Sequence, residues 1–170
     1  MMAGYWAERQ HYSYYAAIQQ MLTDCGSQQS LLDIGSMDTP VATWGNFATR
    51  YTIDPRPRNP LPHVTAVVGS WPDDLELLPS RLSVITCLQV IEHVEDTRRV
   101  CDAMFAAATN CVIISVPYEW PAKACHYHVH DPIDEAKLVR LVGRVPDESV
   151  IVNDDGWRRV IARYGIEVAA

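Results

Sequence analysis

Titratable chemistry is concentrated in two short segments of this chain, Gln89-Val90-Ile91-Glu92-His93 and His126-Tyr127-His128-Val129-His130-Asp131. An imidazole titrates near neutrality, so His93 is the economical group to take a proton from a reacting hydroxyl. Glu92 could orient that ring or hold a metal. Both also have a purely structural reading: a histidine satisfied by backbone groups, and an acid beside a helix N-terminus. If the second segment is extended, His126, His128 and His130 share one face and could bind a metal. If it is a wet loop, they are unrelated. His93, Glu92 and His128 are the candidate catalytic residues, with Tyr118 and Trp120 as aromatic walls for a small acceptor.

A third stretch speaks to a nucleoside. The run Leu31-Leu32-Asp33-Ile34 meets a turn at Gly35, and a second apolar run ends in Asp54, 19 residues beyond that glycine. An apolar run, a glycine turn and a later run ending in an acid are how parallel α/β proteins hold a ribose. The phosphate cradle is absent, however. A dinucleotide site needs GxGxxG, and Gly35-Ser36-Met37-Asp38-Thr39-Pro40 offers one glycine and an Asp where phosphate charge would lie. There is no GxxxxGKS/T segment either. An acidic loop suits a cationic or zwitterionic ligand carrying adenosine.

The elements that must position these groups can be read from periodicity. Five apolar runs, Ser30–Ile34, Arg50–Ile53, Val64–Val68, Leu82–Cys87 and Cys111–Val116, predict strands. The fourth and fifth are continuous rather than alternating, as strands buried on both faces require. Helices are expected over 5–22, closed by Gly26, and over 96–109 with Asp96 or Thr97 as N-cap. A short helix is expected over Pro40–Phe47 and a weaker one over Trp71–Pro79. Another starts at Asp131-Pro132 and ends near Gly143. Glu148–Asn153 and Trp157–Tyr164 flank an Asp154-Asp155-Gly156 turn and predict an antiparallel pair. The expected architecture is α/β: one domain with a mostly parallel central sheet flanked by helices and a C-terminal antiparallel hairpin. Residues 1–29 form a helical cap and 30–170 the main domain.

Length and composition agree. A chain of 170 residues with 48% apolar content fits one domain with a sizeable core. A net charge of -7 and a pI near 5.2 disfavour nucleic-acid and anionic-membrane partners. The five cysteines have no CxxC spacing, so no zinc knuckle or redox pair is expected, and free buried thiols are. No run has the length of a signal or membrane span, which points to a cytoplasmic protein. Exposed aromatics in residues 5–15 could form a homodimer contact.

In order along the chain, LLDIGSMDT, YTIDP, VVGSWPD, VITCLQVIEHVED and CVIISVPYEW resemble the motifs of the class I S-adenosylmethionine (SAM) dependent methyltransferases. The likeness spans nearly the whole chain, and the VIEHVED segment is its most specific part. It implies SAM as cofactor, with Asp33 and Gly35 shaping the methionine end and Ser36 and Met37 replacing the usual loop residues. It further implies Asp54 on the ribose, Ser70 and Trp71 flanking adenine, and Cys87 with Leu88 lining the centre of the pocket. The implied reaction is methyl transfer to an oxygen, or a nitrogen, of a small-molecule acceptor. Some metal-dependent methyltransferases carry a further acid three positions before Glu92. Gln89 stands there, a poor substitute, so no metal is expected. The absence of a D/N-P-P-Y/F motif argues against amino-group methylation of a nucleobase or glutamine. The thinned glycine loop leaves a competing reading, a non-catalytic partner subunit on the same fold.

Overall fold

A computed structural model describes residues 4–56 and 60–167, so residues 1–3 of the expected cap and 168–170 of the expected main domain lie outside the described residues. Seven strands, β1 (Ser27–Ile34), β2 (Asn46–Asp54), β3 (Thr65–Val68), β4 (Leu82–Leu88), β5 (Ala108–Pro117), β6 (Glu148–Asp154) and β7 (Trp157–Gly165), form one sheet. Its order is β3-β2-β1-β4-β5-β7-β6. The first five strands are parallel, and β7 enters antiparallel between β5 and β6. The order reverses between β1 and β4, the place where open α/β sheets leave a crevice.

Both faces of the central strands are buried, which explains their unbroken apolar runs. Val112, Ile114 and Val116 of β5 face one core together with Val100, Met104 and Phe105 of α3 (Thr97–Ala107) and Leu138 and Val142 of α4 (Glu135–Val142). Cys111 and Ile113 face the other, together with Ile18, Met21 and Leu22 of α2 (Ser13–Asp24). The N-terminal helices therefore share a core with the sheet. Four of the five cysteines are buried and all five are free.

Four expected elements differ. The helix expected over Pro40–Phe47 is a single 3-10 turn at Val41–Thr43, and β2 begins at Asn46. Gly45 turns the chain at φ +68°, and Arg50 reaches back from β2 to donate to the carbonyls of Ala42 (2.9 Å), Trp44 (2.7 Å) and Gly45 (2.7 Å). One guanidinium thus satisfies carbonyls that a longer helix would have paired internally. The weaker helix over Trp71–Pro79 likewise shrinks to a 3-10 turn at Leu75–Leu77. The helix expected from Asp131 begins at Glu135, with Asp134 as N-cap accepting from the Lys137 amide at 2.7 Å. Asp131 binds a histidine instead.

The N-terminal segment forms two helices, α1 (Tyr5–Arg9) and α2, rather than one. Each is held by an aspartate distant in sequence. Asp38 Oδ1 accepts from the Trp6 amide at 2.9 Å. The Asp154 carboxylate accepts from the Ser13 amide (2.8 Å), the Ser13 hydroxyl (2.8 Å) and the Tyr14 amide (3.1 Å). No helix among the described residues is long and apolar enough to cross a membrane.

Candidate active site

The crevice is built first by the loop after β1. Gly35 takes φ +69° and donates its amide to Ile53 O at 2.9 Å, which ties the loop to β2. A Cβ at Gly35 would lie 2.6 Å from Val90 Cγ2. Here glycine is needed twice, for the left-handed turn and for the close approach of the segment after β4. Met37 also takes a left-handed conformation, φ 53°, with a side chain 39% exposed. The loop thus keeps a turn that a glycine would adopt freely. The carboxylate of Asp38 is engaged in holding α1 through the Trp6 amide.

Beneath the loop, Asp33 is buried, with Oδ1 accepting from the Thr86 hydroxyl at 2.6 Å. Its Oδ2 has no hydrogen-bond partner among the described residues. Burial pushes its pKa up to about 7, against the lowering pull of the Thr86 hydrogen bond and with a small push from Asp54. A buried carboxylate oxygen without a donor favours a cationic group beside it.

At the mouth stands a cluster of Glu92, His93 and His128. A 3-10 turn at Ile91–His93 follows β4 and drives Glu92 inward, where its side chain is 1% exposed. Neither carboxylate oxygen has a hydrogen-bond partner among the described residues, and burial raises its pKa to about 8. His93 Nδ1 donates to Tyr127 O at 3.2 Å, which leaves Nε2 unprotonated, 4.0 Å from Glu92 Oε1. Desolvation lowers the His93 pKa, so the neutral ring is favoured near pH 7. His128 Nδ1 lies 2.6 Å from Asp131 Oδ2, and the two imidazoles meet edge to face at 4.7 Å.

The second histidine segment is not extended. It turns at Pro121–Ala124 and at Cys125–His128, and is laced to the Glu92 segment by the Val129 amide on Glu92 O at 2.9 Å and His130 Nε2 on Val94 O at 2.7 Å. His126 is exposed against Tyr127, and His130 is occupied by that backbone bond. Of the three histidines, His128 alone lines the crevice.

The cavity has a volume of about 320 Å³, near the low end of small-molecule sites. It gathers Asp33, Gly35, Ser36, Met37, Leu88, Glu92, His93 and His128. Asp54 ends β2 on the adjoining side, buried, its Oδ1 accepting from the Arg56 amide at 2.9 Å. Ser70 is exposed, and its amide donates to Asp74 Oδ2 at 2.7 Å. Trp71 packs on the core and donates Nε1 to Val100 O at 3.2 Å. Cys87 is fully buried beneath the loop. These four stand around the β2–β3–β4 side rather than in the cavity itself.

Several lining residues were not foreseen. Tyr14 and Tyr15 of α2 and Tyr5 and Arg9 of α1 roof the cavity, and Tyr14 Oη meets Ser115 Oγ of β5 at 2.5 Å. Arg159 of β7 is 7% exposed, its guanidinium 5.2 Å from the Tyr12 ring, 5.6 Å from Tyr14 and 5.5 Å from Trp120. The period-two pattern could have found it, because Arg159 is in phase with the buried Ile161. Trp120 forms a wall, stacked between Trp157 (4.5 Å) and His128 (5.7 Å), while Tyr118 lies under Arg158.

No protein-family model matches the sequence, and no curated protein matches it. Solved structures do resemble it. The N-methyltransferase NodS from Bradyrhizobium japonicum WM9, in complex with S-adenosyl-L-homocysteine, is 14% identical, with a TM-score of 0.71 over 91% of this chain and 86% of that one. Magnesium protoporphyrin IX methyltransferase ChlM from Synechocystis PCC 6803, with bound SAM, is 14% identical, with a TM-score of 0.63 over 92% of this chain and 80% of that one. At such identities the likeness is one of fold. Strand order, the antiparallel β7 and the crevice at the reversal point agree with it: the chain has the fold of the class I SAM-dependent methyltransferases.

Proposed function

We propose that the chain is a SAM-dependent methyltransferase acting on an oxygen, or a nitrogen, of a small-molecule acceptor. One observation carries this reading. One cavity at the switch point joins a buried carboxylate oxygen without a hydrogen-bond partner among the described residues, Asp33 Oδ2, to a cluster of basic positions at its mouth. The first suits the ammonium of SAM's amino-acid end; the second suits a nucleophile that must lose a proton. Gly35 sets the turn at the methionine end, Asp54 would accept from the ribose hydroxyls, and Ser70 and Trp71 would flank adenine. Leu88 lines the centre and Cys87 supports it from below.

SAM supplies an activated methyl group: the acceptor's C–O bond forms as the C–S bond breaks, and the electron pair leaves on sulfur as a neutral thioether. The chain contributes orientation, worth several kcal/mol of barrier, and exclusion of competing water. The tyrosine roof and the Trp120 wall serve that exclusion. The acceptor's proton is drawn off at the Glu92–His93–His128 cluster, where both Nδ1 atoms are occupied and the Nε2 lone pairs remain. His93→Ala should therefore lower kcat by about 10²–10⁴ while SAM affinity changes little. An unchanged rate would remove the cluster's role.

The competing reading is a non-catalytic partner subunit. It draws on the loop after β1, where one glycine, Gly35, stands and Val90 packs against it. A purified chain with no affinity for SAM would favour it.

A further inference from the structure

Three groups able to ligate a cation converge at the mouth. Glu92 is 1% exposed with both carboxylate oxygens lacking a hydrogen-bond partner among the described residues. A buried carboxylate is costly unless paired or bound to a metal. No neighbour among the described residues donates to it. His93 Nδ1 donates to Tyr127 O, and His128 Nδ1 lies 2.6 Å from Asp131 Oδ2, so in each ring Nε2 is the nitrogen left to ligate. One ligand atom from each of Glu92, His93 and His128 lies within 4.8 Å of the others.

We infer that Glu92, His93 and His128 form a binding site for one divalent first-row transition ion. The inference rests on the functional reading above and replaces one step of it: with the ion bound, the imidazole Nε2 atoms ligate rather than accept the acceptor's proton. Two imidazoles and one carboxylate are a borderline nitrogen–oxygen set, suited to Zn²⁺, Co²⁺ or Mn²⁺ rather than to Mg²⁺ or Ca²⁺, which take oxygen ligands. The outer contacts are those of a supported site: a backbone carbonyl fixes one imidazole and a carboxylate the other, each holding the tautomer with Nε2 free. The Asp131 side chain is 2% exposed, and its second oxygen is unpartnered among the described residues, adding negative charge behind His128.

Gln89, a neutral amide, supplies no ligand to this set. The third ligand comes instead from His128, brought over by the turns of the 120s loop and by the backbone bond of Val129 to Glu92. Gln89 spends its amide on Ser115 Oγ at 3.3 Å. Three protein ligands leave coordination positions open toward the cavity. An acceptor oxygen bound there would be acidified, releasing its proton to solvent before attacking the methyl carbon, as the S–CH₃ bond breaks and its electron pair stays on sulfur. The favoured acceptor is then an oxygen nucleophile, such as a hydroxyl beside a second oxygen that can also ligate the ion.

The test is titration of chelator-stripped, full-length protein with ZnCl₂, CoCl₂ or MgCl₂ alone by calorimetry, with the Co²⁺ visible spectrum as a second readout. Zinc or cobalt should bind one ion per chain with a Kd below about 10 μM, and magnesium much more weakly. Glu92→Gln and His128→Ala should each abolish that binding, and Asp131→Asn should weaken it by about 10–100-fold. His126→Ala should leave it unchanged. Circular dichroism establishes that each variant is folded. Absence of stoichiometric binding to the wild type, or binding indifferent to Glu92→Gln and His128→Ala, would overturn the site. Titration with SAM is run separately on the same stripped protein. SAM binding without ion binding discards the metal and keeps the methyltransferase, and ion binding without SAM binding does the reverse.

Discussion

Asp33 and Gly35 set the inner end of the cavity by opposite means, one by a charge that wants a partner and the other by an absent side chain. With its pKa pushed up to about 7 by burial, Asp33 carries a proton below that pH in the ligand-free protein. An ammonium group seated beside it lowers that pKa, so SAM binding at pH 6 should release up to one proton per chain. Calorimetry in two buffers of different ionisation enthalpy reads this directly, and Asp33→Asn should abolish the difference. Gly35→Ala meets two obstacles, the φ of +69° and Val90 Cγ2 at 2.6 Å. It should cost about 1–2 kcal/mol for the left-handed turn alone, plus a contact cost that Val90→Ala relieves. Denaturant melts of the two single variants and the double variant separate these parts. At this scale the sequence announced the charged cluster, because Glu92 and His93 are adjacent and His128 lies in a conspicuous run. Arg159 was less plain: its place after a turn reads as surface, and only its period-two phase with the buried Ile161 marks it as inward-facing.

Among the elements, the central strands were legible because burial on both faces leaves only apolar residues to see. Of the crossovers, the helix expected over 96–109 stands as α3 with Asp96 as its N-cap, but the shorter connections were not legible. The helix read into Pro40–Phe47 is cancelled by Gly45 and by Arg50 from the next strand, a contact that no local pattern encodes. The capping of α2 is likewise out of sequence reach, since Asp154 lies at the far end of the chain and holds three donors on Ser13 and Tyr14. Those donors lower the Asp154 pKa against the raising effect of partial burial. Asp154→Ala should cost about 0.5–2 kcal/mol and loosen the roof of the cavity. Hydrogen exchange at the amides of Ser13 and Tyr14 should quicken while exchange in β5 stays slow. Equal protection in the variant and the wild type would show that α2 is held by packing alone.

For the molecule as a whole, the acid-side behaviour follows from the same buried carboxylate. Asp33 has a folded-state pKa raised above its unfolded value of 3.8, so the native state keeps a proton that the unfolded chain gives up. Its contribution is full below about pH 4 and is lost as pH climbs to about 7. Glu92, raised to about 8 by burial, adds a slope of the same sign, so ligand-free protein should lose stability over that window, by an amount on the order of a few kcal/mol, and Asp33→Asn should reduce the slope and leave the part due to Glu92. Thermal melts from pH 5 to 8 measure it. Above this stands the claim that the fold is used for its cofactor. Isothermal titration of the purified chain with SAM and with its demethylated product tests it most directly. The account predicts one ligand per chain with a Kd below about 100 μM, roughly 5.5 kcal/mol of binding free energy, weakened sharply by Asp54→Ala. A wild-type chain that binds neither ligand would contradict it.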